Sequence, residues 1–269
     1  MVSFIVDAEV AGWLPAPVLC LLFVLFCVLV AQLGLSAFKR FVKLHLSQED
    51  NELAGIMFGA IGLIYSLILA FVIIAVWDDY DELSKTIEEE TDKLNGIMAH
   101  TGTLPDSLQM SLKTAMIGYC RQVLQEEWRM NGPNVAERPS AIPSLRLALL
   151  RIEPSTKTEE SIYAVVDQDL SKISELRRKR LSYARSHIPD LVWFTLQTGS
   201  LLLIVFSYFL TAPSDRVRRI SLGFFSGYLA MCMFLIYTLD RPFGKVIQVS
   251  RQPYANVLMS LKQYYAVNL

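Results

Sequence analysis

The sequence predicts an all-α membrane protein, with four transmembrane helices in two hairpins and a helical extramembrane domain between helices two and three. Three observations carry this. Charged residues make up only 19% of a chain that is 53% hydrophobic, and they vanish from four long blocks. A hydrocarbon core about 30 Å thick needs about 20 apolar residues at 1.5 Å of rise each. The blocks Val18–Phe38, Leu53–Trp77, Leu191–Ala212 and Ile220–Leu239 supply 21, 25, 22 and 20. Between the second and third blocks, apolar residues recur at helical spacing in otherwise polar sequence, with no alternating β pattern of useful length. One such block could be a buried core helix of a soluble protein; four together argue against it.

Taken in order, the leader Met1–Pro17 contains no Lys or Arg, and the apolar run after it is longer than a secretory signal core. It reads as a retained helix. Residues 18–77 form the first hairpin, closed by the loop Lys39–Glu52. The second helix is expected to continue past Trp77, because Tyr80, Leu83, Ile87, Leu94 and Ile97 keep one helical face. Gly102 and Pro105 end it. A helix from Asp106 carries Leu108, Leu112, Met116, Tyr119 and Val123 and is expected to stop at Asn131-Gly132-Pro133. After a connector with Pro133, Pro139 and Pro143 come a short helix, Ser144–Ile152, and a long one bearing Ile162, Val166, Leu170, Ile173 and Leu176. These fill the extramembrane domain, residues 78–190. Residues 191–240 form the second hairpin, turning at Pro213–Arg219, and 241–269 an amphipathic tail with Tyr254, Val257, Leu258, Leu261 and Tyr265.

Several function classes find no support. A net charge of −1 gives no basic face for nucleic acid. His45, His100 and His187 are scattered and Cys20, Cys27, Cys120 and Cys232 have no zinc-like spacing, so no metal or other cofactor is expected. Nucleophile elbows and phosphate-cradling glycine loops are missing, so the chain is not read as an enzyme. The spans hold no Asp, Glu, Lys, Arg or His, which weakens proton-coupled transport.

Sidedness is contested. The short loops carry Lys39, Arg40, Lys43, Arg216, Arg218 and Arg219, which puts both loops in the cytoplasm and the helical domain outside. Arg177–Arg180 and Arg185, close to the third span on the other side, reverse that tally when they are counted. The basic run itself has two uses, binding anionic headgroups or pairing with the acidic residues that follow the second span, and pairing is preferred.

The second span has an uneven surface. Gly55, Gly59, Gly62, Ser66 and Ala70 share one face, which either allows close helix packing or leaves space along an axis. As a conduit, that face narrows near Ile73 and Ile74 before Trp77, and apolar constrictions can gate by dewetting. Gly223 and Gly227 in the fourth span are a second small pair, read as packing. Asp78, Asp79, Asp81 and Glu82 then form an acidic collar, continued by Glu88, Glu89, Glu90 and Asp92. Around a symmetric axis such carboxylates would concentrate cations; alone they are a solvated helix face. At the end of the fourth span, Asp240, Arg241, Pro242 and Phe243 read as a structural cap tying that span to the helical domain.

One ordered set of landmarks resembles a known family. Trp77 and Tyr80 follow the second span; Tyr119 and Val123 lead to Glu127-Trp128; Ile188-Pro189 precede Trp193 and Gly199; Leu239-Asp240-Arg241-Pro242-Phe243-Gly244 closes the set. This pattern, from Leu53 to the C-terminus, is similar to the bestrophin-like membrane domain family. The resemblance implies four spans, a helical domain between the second and third, and a ring of subunits around an anion pore lined by the second span. It also implies a cytoplasmic helical domain, opposite to the loop count. The acidic collar keeps cation conduction open beside the anion selectivity so implied.

The expected function is therefore a homo-oligomeric, multi-pass, passive ion channel in a lipid bilayer, the inner membrane in a bacterium. The competing class is a non-conducting scaffold or sensor whose helical domain binds a partner.

Overall fold

The computed structural model describes residues 15–42, 47–103, 106–128, 140–151, 153–154, 156–244 and 246–266. Among the described residues eight α-helices follow one another: α1 (Ala16–Phe41), α2 (Gln48–His100), α3 (Asp106–Gln122), α4 (Ile142–Leu150), α5 (Lys157–Arg185), α6 (Asp190–Ser207), α7 (Asp215–Leu239) and α8 (Gln252–Ala266). No strand occurs among the described residues. The Asn131-Gly132-Pro133 stop, Pro105, most of the leader and Lys43 lie outside them.

The chain divides into two compact units, Met1–Asp78 with His187–Ile247, and Asp79–Ser186 with Gln248–Leu269. Among the described residues four helices, α1, α2, α6 and α7, are long and apolar enough to cross a membrane. In the first unit α7 is the central one. Half of its most apolar stretch is buried, against 11–22% for the other three. Leu229, Cys232, Met233 and Ile236 pack with Tyr65 and Leu69 of α2 and Leu196 and Leu203 of α6. Ala230, Phe234 and Tyr237 pack with Leu19 and Phe23 of α1.

Sequence neighbours suggested consecutive pairing of the spans. The long contact of α1 is instead with α7, far along the chain. Glycine explains the closeness: a Cβ at Gly227 would sit 3.4 Å from Val28 and 3.5 Å from Val24, so the two backbones approach where α7 has no side chain. Gln32 Nε2 donates to the Arg219 carbonyl at 2.7 Å, and Lys39 pairs with Asp215, fastening the same two helices at one end. Ser214 caps α7, its hydroxyl accepting from Val217 N at 3.3 Å.

Helix α6 is shorter than its apolar block. It ends at Ser207, not Ala212, and passes into tighter turns, Phe209 N donating to the Phe206 carbonyl at 3.0 Å and Leu210 N to the Ser207 carbonyl at 3.3 Å. The freed groups find side chains: Asn51 Oδ1 accepts from Thr211 N at 2.8 Å, and the Arg218 guanidinium donates to the Tyr208 carbonyl.

The second unit is a helical assembly built on the apolar stripes. Leu83, Ile87, Leu94 and Ile97 of α2, Leu112, Met116 and Tyr119 of α3, and Val166, Leu170, Ile173 and Leu176 of α5 are all buried. α5 starts at a capping box, Thr156 Oγ1 accepting from Glu159 N at 3.2 Å while Thr156 N donates to Glu159 Oε2 at 3.3 Å. α8 carries Tyr254, Val257 and Leu261 into this same unit, all at most 1% exposed.

Candidate functional site

Helix α2 runs unbroken for 53 residues. Its first half, in the first unit, has two unlike faces. Tyr65, Leu69 and Val76 are buried, with Phe58, Val72 and Ile73 packed against the core beside them. On the adjoining face, a Cβ at Gly55, Gly59 or Gly62 would meet nothing within 4 Å. Ser66 and Ala70 are exposed too, the Ser66 hydroxyl returning to the Leu63 carbonyl at 2.8 Å. Ile73 is half-buried, Ile74 is 55% exposed and Trp77 is 56% exposed. The small-residue face is thus not used for packing within the first unit.

The acidic residues after Trp77 do not behave alike. Asp78 and Asp79 are exposed. Asp81 pairs with Lys85 at 2.7 Å on the exposed helix surface, and Glu82 accepts from Lys179 at 2.5 Å. That lysine holds the Glu82 carboxyl below its ordinary value, chiefly through the hydrogen bond, and is itself raised by it. The carboxylate's share of the pair is in place above the unfolded carboxylate range and lost as pH falls through the lowered value. Glu90 has left the collar altogether: it is fully buried.

Glu90 belongs to a charge-balanced cluster inside the second unit. Arg180 Nε donates to Glu90 Oε2 at 2.9 Å, and its Nη2 donates to Glu127 Oε2 at 2.8 Å. Arg177 reaches the other oxygen of Glu127 at 2.7 Å. The Tyr119 hydroxyl donates to Glu90 Oε1. Tyr254 lies under the Arg180 guanidinium at 5.6 Å and meets Trp128 edge-on at 5.8 Å. Burial by itself would lower the Arg180 pKa, but Glu90, Tyr254, Tyr119 and Glu127 outweigh it and hold the guanidinium charged. Burial, then the charge of Glu90, pushes the Tyr119 phenol far up.

A π-helical turn, Val123–Glu127, presents the second carboxylate of this cluster, with Trp128 N donating five residues back to the Val123 carbonyl at 3.0 Å. In the sequence Glu127-Trp128 stood only among the family landmarks, with nothing to connect it to Glu90. A usable signal existed. Glu90 falls three residues after Ile87 and four before Leu94, and Arg177 and Arg180 fall four and seven after Ile173, so all three charges stand on apolar stripes. The preferred pairing of the basic run with the acidic run is what Arg180–Glu90 and Lys179–Glu82 make.

At the end of α7, Asp240 is 8% exposed and its partners come from the start of α6. Its Oδ1 accepts from Ile188 N at 2.7 Å and its Oδ2 from Trp193 Nε1 at 3.3 Å, while its carbonyl lies 2.9 Å from His187 Nδ1. Arg241 lies over the Tyr237 ring at 4.5 Å and donates to its hydroxyl at 2.6 Å. Pro242 and Phe243 are buried at the turn, and Gly244 N donates back to the Arg241 carbonyl at 2.8 Å. The cap expected at the end of the fourth span makes its described Asp240 contacts to the start of the third span. The reason is chemical: Pro189 leaves the amide of Ile188 outside the α6 ladder, and Asp240 satisfies it.

No His/Cys/Asp/Glu cluster able to hold a metal occurs among the described residues. The landmarks form two sets instead. Ile188, Trp193, Asp240 and Arg241 meet in the first unit, and Tyr119, Glu127 and Trp128 in the second.

Comparisons with known proteins agree with those landmarks. Comparison with curated protein sequences finds no match. Crystal structures of single-mutation variants of a bacterial bestrophin homologue from Klebsiella pneumoniae share the fold. One superposes with a TM-score of 0.70 at 14% identity, covering 91% of this chain and 98% of its own. Another has a TM-score of 0.68 at 13% identity, covering 91% and 98%. The family model for the Bestrophin-like domain matches residues 24–254, a range that holds both landmark clusters. On that match the chain belongs to the Bestrophin-like domain family.

Proposed function

We propose that the chain forms a homo-oligomeric, passive ion channel, with α2 nearest the axis and residues 78–190 as a helical domain outside the hydrocarbon. The observation that carries this reading is the idle face of α2. Gly55, Gly59 and Gly62 meet nothing within 4 Å, while Tyr65, Leu69 and Val76 on the adjoining face are buried. A helix face without bulk, unused by its own unit, is what a ring of subunits needs around an open path. Gly55 to Ala70 then line the conduit, Ile73 and Trp77 narrow it, and Asp78, Asp79, Asp81 and Glu82 stand at its mouth. The ions are the transported ligands, and lipid and further copies of the chain are the partners. Family membership supports the same reading.

Two measurements test it. Purified in detergent, the chain is expected to run as a symmetric ring of four or more subunits; a monomer, or a dimer packed through Gly55 and Gly59, overturns the proposal. In liposomes, Gly62→Phe is expected to bring ion flux down to the protein-free background. The new side chain enters open space in its own subunit, so the fold is left intact. Unaltered flux removes α2 from the pore.

A further inference from the structure

The outer side of the α1–α7 pair carries an open apolar groove, lined by Val24 and Val28 of α1 and by Gly223, Phe224, Gly227 and Tyr228 of α7. Its floor is low because two glycines form it. Phe224 is 79% exposed and Tyr228 61%, so the walls stand clear of the first unit's own core. From Ile220 to Met231 the groove runs about 16 Å along α7 at 1.5 Å per residue, most of the length of an extended acyl chain.

One end of this groove is polar and basic. Arg216, Ile220, Gly223, Gly227 and Met231 are spaced four, three, four and four, so Arg216 tops the groove's own face. Arg216 and Arg40 are exposed, with no ion pair or hydrogen bond among the described residues. Arg219, also exposed, reaches Ser36 Oγ at 3.3 Å. Gln32, on the same face of α1 as Val24 and Val28, gives its amide N–H to the Arg219 carbonyl. Its Oε1 is closed off from water and accepts no hydrogen bond among the described residues. Lys39 is already matched by Asp215, so the uncompensated charge at this end is positive.

We propose that this groove is a binding site for one anionic phospholipid. An acyl chain lies over Gly223 and Gly227, and the phosphate sits between Arg216 and Arg219. Bulk lipid would suffice for the apolar walls alone. The basic residues above them select for charge. This site is independent of whether α2 lines a pore.

The test is native mass spectrometry of the full chain in detergent, with palmitoyl-oleoyl phosphatidylglycerol and palmitoyl-oleoyl phosphatidylcholine added in equal amounts. The native chain is expected to retain the phosphatidylglycerol about tenfold better. Arg216→Gln with Arg219→Gln should bring the two lipids to parity, and Gly223→Leu should lower retention of both. Equal retention by the native chain overturns the proposal, as does a preference that survives loss of both arginines. So does disulfide capture of a second copy through Phe224→Cys, which would make the groove a subunit interface. The arginine pair is exposed and outside the core, so its result stands even where Gly223→Leu fails to fold.

Discussion

Gly199 and Gly34 accept tyrosines in the same way. Tyr65 packs on Gly199 and its hydroxyl donates to the carbonyl three residues earlier, Leu196, at 2.6 Å; Tyr208 does the same at Gly34 and Ala31, at 3.0 Å. A Cβ at Gly199 would lie 2.5 Å from Tyr65 Cε2 and 2.8 Å from Cδ2, both ring atoms held close to their own backbone. At Gly34 the nearest atom is the Tyr208 hydroxyl oxygen, the end of the side chain. Gly199→Ala should therefore expel the Tyr65 ring, with an overpacking cost of about 1–3 kcal/mol, and Gly34→Ala should cost less. Thermal unfolding in detergent measures this, and Tyr65→Leu combined with Gly199→Ala should recover part of the loss. An unchanged melting temperature for Gly199→Ala would show that the contact is slack. The glycines of this chain looked equivalent in sequence. What separates Gly199 from Gly55 is the partner across the gap, which spacing along one helix does not encode.

At the scale of elements, the buried charges dominate the second unit. Arg180→Met would leave Glu90 and Glu127 facing each other without their shared cation, and losing one partner of a buried pair typically costs about 3–5 kcal/mol. Thr156→Ala, which removes only the α5 cap, should cost about 1 kcal/mol. Chemical denaturation should resolve the two, and comparable losses would mean that water or a rearranged Arg177 covers the carboxylates. Most elements were legible beforehand. The four spans, the run of α2 to its end near Gly102 and the start of α3 at Asp106 follow from apolar period and helix breakers. The partners were not legible. Asp240 meets Ile188 and Trp193, and Glu90 meets Arg180, across 47 to 90 residues of chain. Periodicity says that a charge stands on an apolar stripe; it does not say which distant charge neutralises it. Composition had the same limit at α6, where an uncharged block outlasted the helix.

At the scale of the whole molecule, the pore reading makes a claim about ion selectivity that depends on helix register. An α-helix repeats every 3.6 residues, and α2 is continuous from Gln48 to His100. The face of Gly55, Gly59, Gly62, Ser66, Ala70, Ile73 and Trp77 therefore continues at Asp81, Glu88 and Asp92, whereas Asp78, Asp79 and Glu82 fall off it. Asp81 is matched by Lys85, and Glu82 by Lys179. The carboxylates of Glu88 and Asp92 are exposed, with no ion pair or hydrogen bond among the described residues. Repeated around a ring, these two positions would carry the uncompensated negative charge nearest the axis, attracting cations and repelling anions. The expectation is cation preference in the native chain, measured as a reversal potential across a bilayer with a salt gradient. Glu88→Gln with Asp92→Asn should move that potential toward the anion side, while Asp78→Asn with Asp79→Asn should move it much less. Raising the ionic strength should shrink the difference between the two double variants, because mouth charges act through a field that salt screens. A native chain that prefers anions would mean that the carboxylates of α2 face solvent away from the conducting path. Equal shifts from both double variants would mean that the whole collar acts as one diffuse charge, and register would then have no part in selectivity.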